Sequence, residues 1–208
     1  MAEKPRILQS RRDLVFTMVP LLVLCLIVLF ASGNFKLGFG ADPKDESVPA
    51  INPQGVYEVS AQTLGFPVRM PGGTGVACGV PDGWKATATR DDDVTGGTVF
   101  SVNYLTPEKN SLQLSQSGSP VEAVVASVYG SKAKPSGTIP VGDRTWDVYG
   151  PNDKKRSAWV LQLDGAVIVV FGSGTVPRFT ELASAVQSQA PLPRTAGQAP
   201  AAPSAGPK

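Results

Sequence analysis

Histidine is absent from all 208 residues. That removes the commonest general base, the commonest metal ligand and the side chain that titrates nearest neutrality. Cysteine is almost absent too: Cys25 sits in an apolar run and Cys78 beyond it, so neither an intradomain disulfide framework nor a CxxC redox or zinc motif can be drawn. Charge is scarce at 17% Asp, Glu, Lys and Arg, with a net excess of +2. The whole excess lies in residues 1–33, where Lys4, Arg6, Arg11 and Arg12 face Glu3 and Asp13; residues 34–208 balance 15 basic against 15 acidic side chains. A nucleic-acid binder carries its positive excess on the folded part, because phosphate contacts supply most of its affinity, so no nucleic-acid partner is expected. What remains, with 22 glycines, 19 prolines and 42% hydrophobic residues, is a turn-rich globular chain rather than a coiled coil or collagen.

From Leu14 to Phe30 the chain reads LVFTMVPLLVLCLIVLF, 17 residues without a charge. Ala31, Ser32 and Gly33 extend the run to about the 20 residues that cross a bilayer. A single spanning helix is expected over residues 14–33, with Pro20 tolerated inside it, after a basic segment at 1–13. Four basic residues precede the run and only Lys36 closely follows it, so the positive-inside bias puts the N-terminus in the cytoplasm and the C-terminal part outside the cell membrane. Cleavage after Gly33 is the rival reading, since Ala31-Ser32-Gly33 offers small residues, but the apolar run exceeds the usual signal-peptide length. Ser10-Arg11-Arg12-Asp13-Leu14 also resembles a twin-arginine export signal, although the following run is more hydrophobic than such signals are. Cys25 follows Leu24, where a lipobox needs a small residue. The expectation is an uncleaved, single-pass signal-anchor.

Residues 34–50, rich in Gly, Pro, Asp and Ser, form a linker. Residues 190–208 are almost wholly Ala, Pro, Gly and Ser, and are expected to be disordered. The folded domain is then 51–189. Three helices are predicted in it: one after Asn52-Pro53 with Tyr57, Ala61 and Leu64 on one face; one opened by Ser119-Pro120-Val121-Glu122 as a capping box, with Val121, Val124, Val125 and Val128 as its stripe; one after Thr175-Val176-Pro177 with Phe179, Leu182, Ala183 and Val186. Seven strands are predicted, at Phe66 to Met70, Lys85 to Arg90, Thr98 to Leu105, Ser111 to Gln116, around Trp146 and Val148, through Trp159 to Leu163, and Ala166 to Phe171. Pro107 to Asn110 and Asp164-Gly165 mark hairpin turns. Hairpin links make the sheet largely antiparallel, and the fold class α+β.

Several segments together resemble a known family: Arg11-Arg12-Asp13, Val19-Pro20-Leu21-Leu22, Phe66-Pro67-Val68-Arg69-Met70-Pro71, Gly83-Trp84 before Ala86-Thr87, Leu114-Ser115-Gln116-Ser117 and Gly142-Asp143-Arg144-Thr145-Trp146. The chain is similar over nearly its whole length to the actinobacterial domain of unknown function 4245. The resemblance implies a single-pass envelope protein whose ectodomain is a Mog1/PsbP-like α-β-α sandwich. It brings no activity and no catalytic residues.

No catalytic, cofactor-binding or metal-binding residue is assigned from the sequence. Asp91-Asp92-Asp93 before Val94-Thr95-Gly96-Gly97 lacks the spacing of a calcium loop and is expected as a solvated turn. Lys154-Lys155-Arg156 is expected as a charged hairpin tip. Gly72 to Gly79 around Cys78 reads as a loop of open role, and Gly172-Ser173-Gly174 is no nucleophile elbow. Trp84, Trp146 and Trp159 have apolar neighbours and read as core. The sequence therefore points to a non-enzymatic envelope module that binds a protein, lipid or glycan without a cofactor. The alternative is a histidine-independent carboxylate enzyme acting on envelope polymer, which would show two buried acids facing one cleft.

Overall fold

A computed structural model describes residues 18–20, 22–23, 49–131, 133–152 and 154–194. The expected spanning helix at 14–33 falls almost wholly outside the described residues; 18–20 and 22–23 are helical. Among the described residues no helix is long and apolar enough to cross a membrane.

The domain opens with helix α1 (Gln54–Thr63), with Pro53 at its cap position and Asn52 one residue earlier, whose Oδ1 accepts from the Gln54 N–H at 3.1 Å. A two-stranded ladder follows, β1 (Val76–Ala77) and β2 (Val80–Pro81). The main sheet is built from β3 (Lys85–Val94), β4 (Gly97–Leu105), β5 (Ser111–Ser117), β6 (Pro135–Val141), β7 (Arg144–Tyr149), β8 (Ser157–Leu163) and β9 (Ala166–Gly172). Helix α2 (Val121–Val128) lies between β5 and β6 in sequence, and α3 (Val176–Gln187) follows β9. The strand order is β3-β4-β5-β9-β8-β7-β6, and every neighbouring pair is antiparallel. The α+β class with an antiparallel sheet and a few helices is as the sequence led us to expect.

Alternation along the central strands gives the sheet two apolar faces. On one, Phe100, Val102, Leu112, Leu114, Trp159, Ile168 and Val170 pack against Tyr57 and Ala61 of α1 and Phe179, Leu182 and Val186 of α3. On the other, Val99, Val160, Val167 and Val169 meet Val124 and Val125 of α2. Trp84, Trp146 and Trp159 are all buried.

Four local expectations are corrected. Phe66 to Met70 is no strand: it packs on the sheet face without a ladder of its own, with Val68 buried in the core. Its backbone is satisfied from elsewhere, by the Gln116 side chain at Arg69 and by the Leu192 N–H donating to Val68 O at 2.8 Å. The seventh strand is instead the edge strand β6, disguised in the sequence by Pro135, Gly137 and Pro140. Asp91, Asp92 and Asp93 belong to β3, opposite Phe100, Val99 and Thr98, and the turn comes after them. Ser119 does not cap α2: the helix starts at Val121 with Pro120 at the cap position, so the serine stands one residue too early and its Oγ has no partner among the described residues. The Ser119 N–H donates to Ser117 Oγ at 3.0 Å instead.

Beyond 189, the chain remains tied to the domain, with Leu192 packed on the core and Pro193 O accepting from Gln62 Nε2 at 2.9 Å. Residues 195–208, most of the tail expected to be disordered, lie outside the described residues.

Candidate functional site

Four segments converge at one end of the sheet: the stretch at Arg69, the β6–β7 turn at Arg144, the β8–β9 turn at Asp164, and the end of α3 through Gln187 to Pro191. Between them is an open groove of about 400 Å³. Gly142 and Gly165 have φ of +58° and +74°, which the tight turns require and which glycine adopts without a Cβ clash. A Cβ at Gly142 would stand 3.1 Å from Gln187 Nε2, and one at Gly165 would stand 3.3 Å from Pro67. Both turns thus approach the groove wall closely.

Arg69 is half-buried in the groove, as are Leu163, Gln187 and Gln189. Gln116, fully buried on β5, accepts from the Arg69 N–H at 2.8 Å and donates through Nε2 to Arg69 O at 2.6 Å. One side chain here replaces the neighbouring strand that the segment lacks. The guanidinium spends Nε on Gln189 O at 3.1 Å, while Nη1 is buried and has no hydrogen-bond partner among the described residues. Burial lowers the pKa of Arg69 from its ordinary value; Asp164 opposes that shift and the like charge of Arg144 adds to it. Gln187 is already committed, accepting from Trp146 Nε1 at 2.8 Å and donating to Val141 O at 2.7 Å. Its role is to fix the floor.

Other polar clusters are self-contained. Ser101 and Ser115 hydroxyls meet at 2.9 Å and both accept from Gln113 Nε2, at 3.0 and 2.9 Å. With no base beside them they are not an activated nucleophile. Tyr104 donates to Gly79 O at 2.9 Å, which leaves Tyr57 to donate to Tyr104 across 2.9 Å. This buried pair ties α1 to the glycine-rich stretch. Cys78 is exposed at the tip of that stretch with φ of +51°. Arg178 of α3 pairs with Glu108 of the β4–β5 turn and with Glu181, holding the Glu108 carboxyl down at about 2. Lys154, Lys155 and Arg156 do form an exposed hairpin tip, organised by Asn152 Oδ1, which accepts from the Lys154 and Arg156 N–H groups at 3.0 Å each. Asp92 pairs with Arg90 at 2.7 Å, and burial followed by Asp92 and Asp93 raises the pKa of Asp91. Among the described residues no group of His, Cys, Asp or Glu is placed to hold a metal ion.

The sequence reading did not single out Arg69 or Arg144, since only topology brings them together. A signal was present nonetheless: the segments containing Arg69, Gln116 and Arg144 are three of those by which the family resemblance is recognised, and they meet here.

The molecule so defined is a small α+β domain with a cation-lined polar groove at one end of an antiparallel sheet. A family model described as "Protein of unknown function (DUF4245)" matches residues 6–186. The chain belongs to that family. No curated protein and no solved structure matches it.

Proposed function

We propose that this protein is an interaction module of the bacterial cell envelope, anchored by residues 14–33 with its domain outside the membrane, and that it binds a protein, lipid or glycan partner at the Arg69 groove without transforming it. The observation that carries the reading is the open polar groove lined by Arg69, Arg144 and Asp164, among which no close ion pair forms. None of the Asp or Glu residues among those described is buried, which favours binding over a carboxylate enzyme. The helices on both sheet faces support a Mog1/PsbP-like sandwich. The 17-residue uncharged run and the basic residues before it support the anchor.

The test is capture from detergent-solubilised membranes with the full chain. The expected result is a partner retained by the native protein and lost from the double variant Arg69→Gln, Arg144→Gln at equal protein level, with mass spectrometry finding residues 1–33 still attached. Loss of cellular function in one well-folded Asp→Asn variant, among Asp82, Asp91, Asp92, Asp93, Asp143, Asp147, Asp153 and Asp164, with capture intact, would replace this reading by the enzyme.

A further inference from the structure

The domain carries its charge unevenly. Residues 132–134 and 150–156 hold five basic side chains against one acid, Asp153, although residues 34–208 balance as a whole; the remainder therefore has ten basic against fourteen acidic. Pairing in the sheet makes the two segments neighbours. Pro135 of β6 lies opposite Tyr149 of β7, and the Ser136 hydroxyl is 3.0 Å from both Val148 O and Gly150 O, so Lys134 adjoins the β7–β8 turn. Lys134, Lys154, Lys155 and Arg156 are all exposed, and none forms an ion pair among the described residues, whereas Arg90 and Arg178 are paired at short range. The turn is shaped by its backbone: the Asn152 N–H donates to Arg156 O at 2.9 Å and the Lys155 N–H to Asn152 O at 2.8 Å. Three successive cations are thus held together and left to solvent, a repulsion that a negative counter-surface relieves.

Topology says where that surface lies. Every neighbouring pair in the order β3-β4-β5-β9-β8-β7-β6 is antiparallel, so β3, β5, β8 and β6 all start at one end of the sheet. The basic turn leads into β8 and is at that end. The chain also enters the domain there, where the Ile51 N–H donates to Ala86 O at 2.8 Å beside the start of β3. Entry and tip are four strands apart, a lateral distance of ~19 Å. Residues 34–50, extended, reach up to ~60 Å, so a tether that starts in a bilayer lets the tip touch it. The β6–β7 and β8–β9 turns of the groove are at the opposite end, ~20 Å away along the seven residues of β8.

The side chains favour lipid over a protein partner. Three of the four cations are lysines, flexible point charges that need no fixed partner geometry. A protein interface centres on apolar or aromatic anchors, and the exposed large apolar side chains described in this domain, Val59 and Val176, are on α1 and α3 rather than at the tip. We propose that Lys134, Lys154, Lys155 and Arg156 dock the domain on the anionic phospholipid headgroups of the membrane that carries residues 14–33, which turns the Arg69 groove away from that membrane. This rests on the anchored reading above and adds the orientation of the domain.

The experiment places the full chain in lipid nanodiscs containing a lipid with a gadolinium chelate on its headgroup, and follows backbone NMR signals. In phosphatidylglycerol-rich discs the signals of Lys154, Lys155 and Arg156 are expected to broaden while those of Gly142, Asp143 and Gly165 stay sharp; in phosphatidylcholine discs both sets stay sharp. Raising salt from about 0.1 M to about 1 M shortens the Debye length from ~10 to ~3 Å and should remove the effect. Each charge removed should lower the docked-to-free ratio about fivefold, so Lys154→Gln combined with Lys155→Gln lowers it about 25-fold. Both side chains are exposed, so the variant folds, which tryptophan fluorescence checks. A tip that broadens equally in both kinds of disc or in neither, or a groove end that broadens instead, overturns the docking. Soluble polyglutamate that shifts the tip signals without any broadening from discs also overturns it and gives the tip to an acidic protein. A chain that fails to enter phosphatidylcholine discs overturns the anchor instead, and tip broadening on phosphatidylglycerol discs then still supports the lipid contact.

Discussion

Replacing Gln116 by leucine keeps the volume of a fully buried side chain and removes an amide that makes two hydrogen bonds, at 2.8 and 2.6 Å, to one residue of the Phe66 to Met70 segment. Each bond contributes a net ~1 kcal/mol, and each backbone group left without a partner adds up to ~1–3 kcal/mol. Arg69 is only half-buried, so water recovers part of that penalty, and the expected loss is roughly 2–4 kcal/mol. For a domain of this size that lowers the melting temperature by about 5–15 °C. The three tryptophans are buried and report unfolding directly by fluorescence. Gln116→Glu sharpens the test. An ionised carboxylate can accept from the Arg69 N–H but repels Arg69 O, whereas the protonated acid restores the donor. Its pKa in the folded state is therefore raised, and its stability is fullest below the unfolded value of about 4.3 and is lost as pH rises through the folded value. The gap between Gln116→Glu and the native chain should widen from acid to neutral pH. A leucine variant within about 0.5 kcal/mol of native, or a glutamate variant whose deficit ignores pH, refutes the clamp.

Leu114→Ala, at a position 1% exposed, is expected to cost roughly 2–5 kcal/mol in chemical denaturation, and an unchanged midpoint would contradict the packing of β5 on α1 and α3. Tyr104→Phe removes the donor that holds Gly79 O and the acceptor for Tyr57; Cys78 should then react faster with a thiol reagent, and an unaltered rate would show that the tyrosines do not restrain that turn. Glu108 has a depressed pKa in the folded state, so the stabilisation from its contact with Arg178 is present above the usual carboxylate range and is lost as pH falls toward about 2. Glu108→Gln should abolish that part of the acid sensitivity, read as the difference between variant and native unfolding curves from pH 5 to 2.

Elements with a clean period and a local signal were legible from the chain. The α3 stripe of Phe179, Leu182, Ala183 and Val186 is buried as its spacing requires, and Asp164-Gly165 turns β8 into β9 as that pair does in hairpins. Failures came where a partner distant in sequence decides the outcome. Phe66 to Met70 alternates like a strand, but Gln116 and Leu192 take its backbone groups, so no ladder forms. Pro135 to Val141 looks unlike a strand because prolines are tolerated only at an edge, and edge position is a property of the whole sheet. The acids of β3 looked like a turn for the same reason, since the strand is the opposite edge and leaves them wet. The groove needs Arg69, Arg144 and Asp164 from three separate parts of the chain, and no window of sequence contains them.

The strand order also dictates a sequence of events. Strands β3 to β5 form one meander and β6 to β9 another, each closed by turns between consecutive strands, and the two meet only where β5 pairs with β9, Leu112 opposite Gly172 through Ser117 opposite Val167. Nearby pairings close quickly and distant ones slowly, because longer loops cost more entropy to close. The β5–β9 seam is thus the late step of folding. Arg69 is fastened to the first meander through Gln116, whereas Arg144 and Asp164 belong to the second. A chain whose halves have formed but not joined has every residue of the groove and no groove, so the groove is itself a product of completed assembly, acquired at the seam.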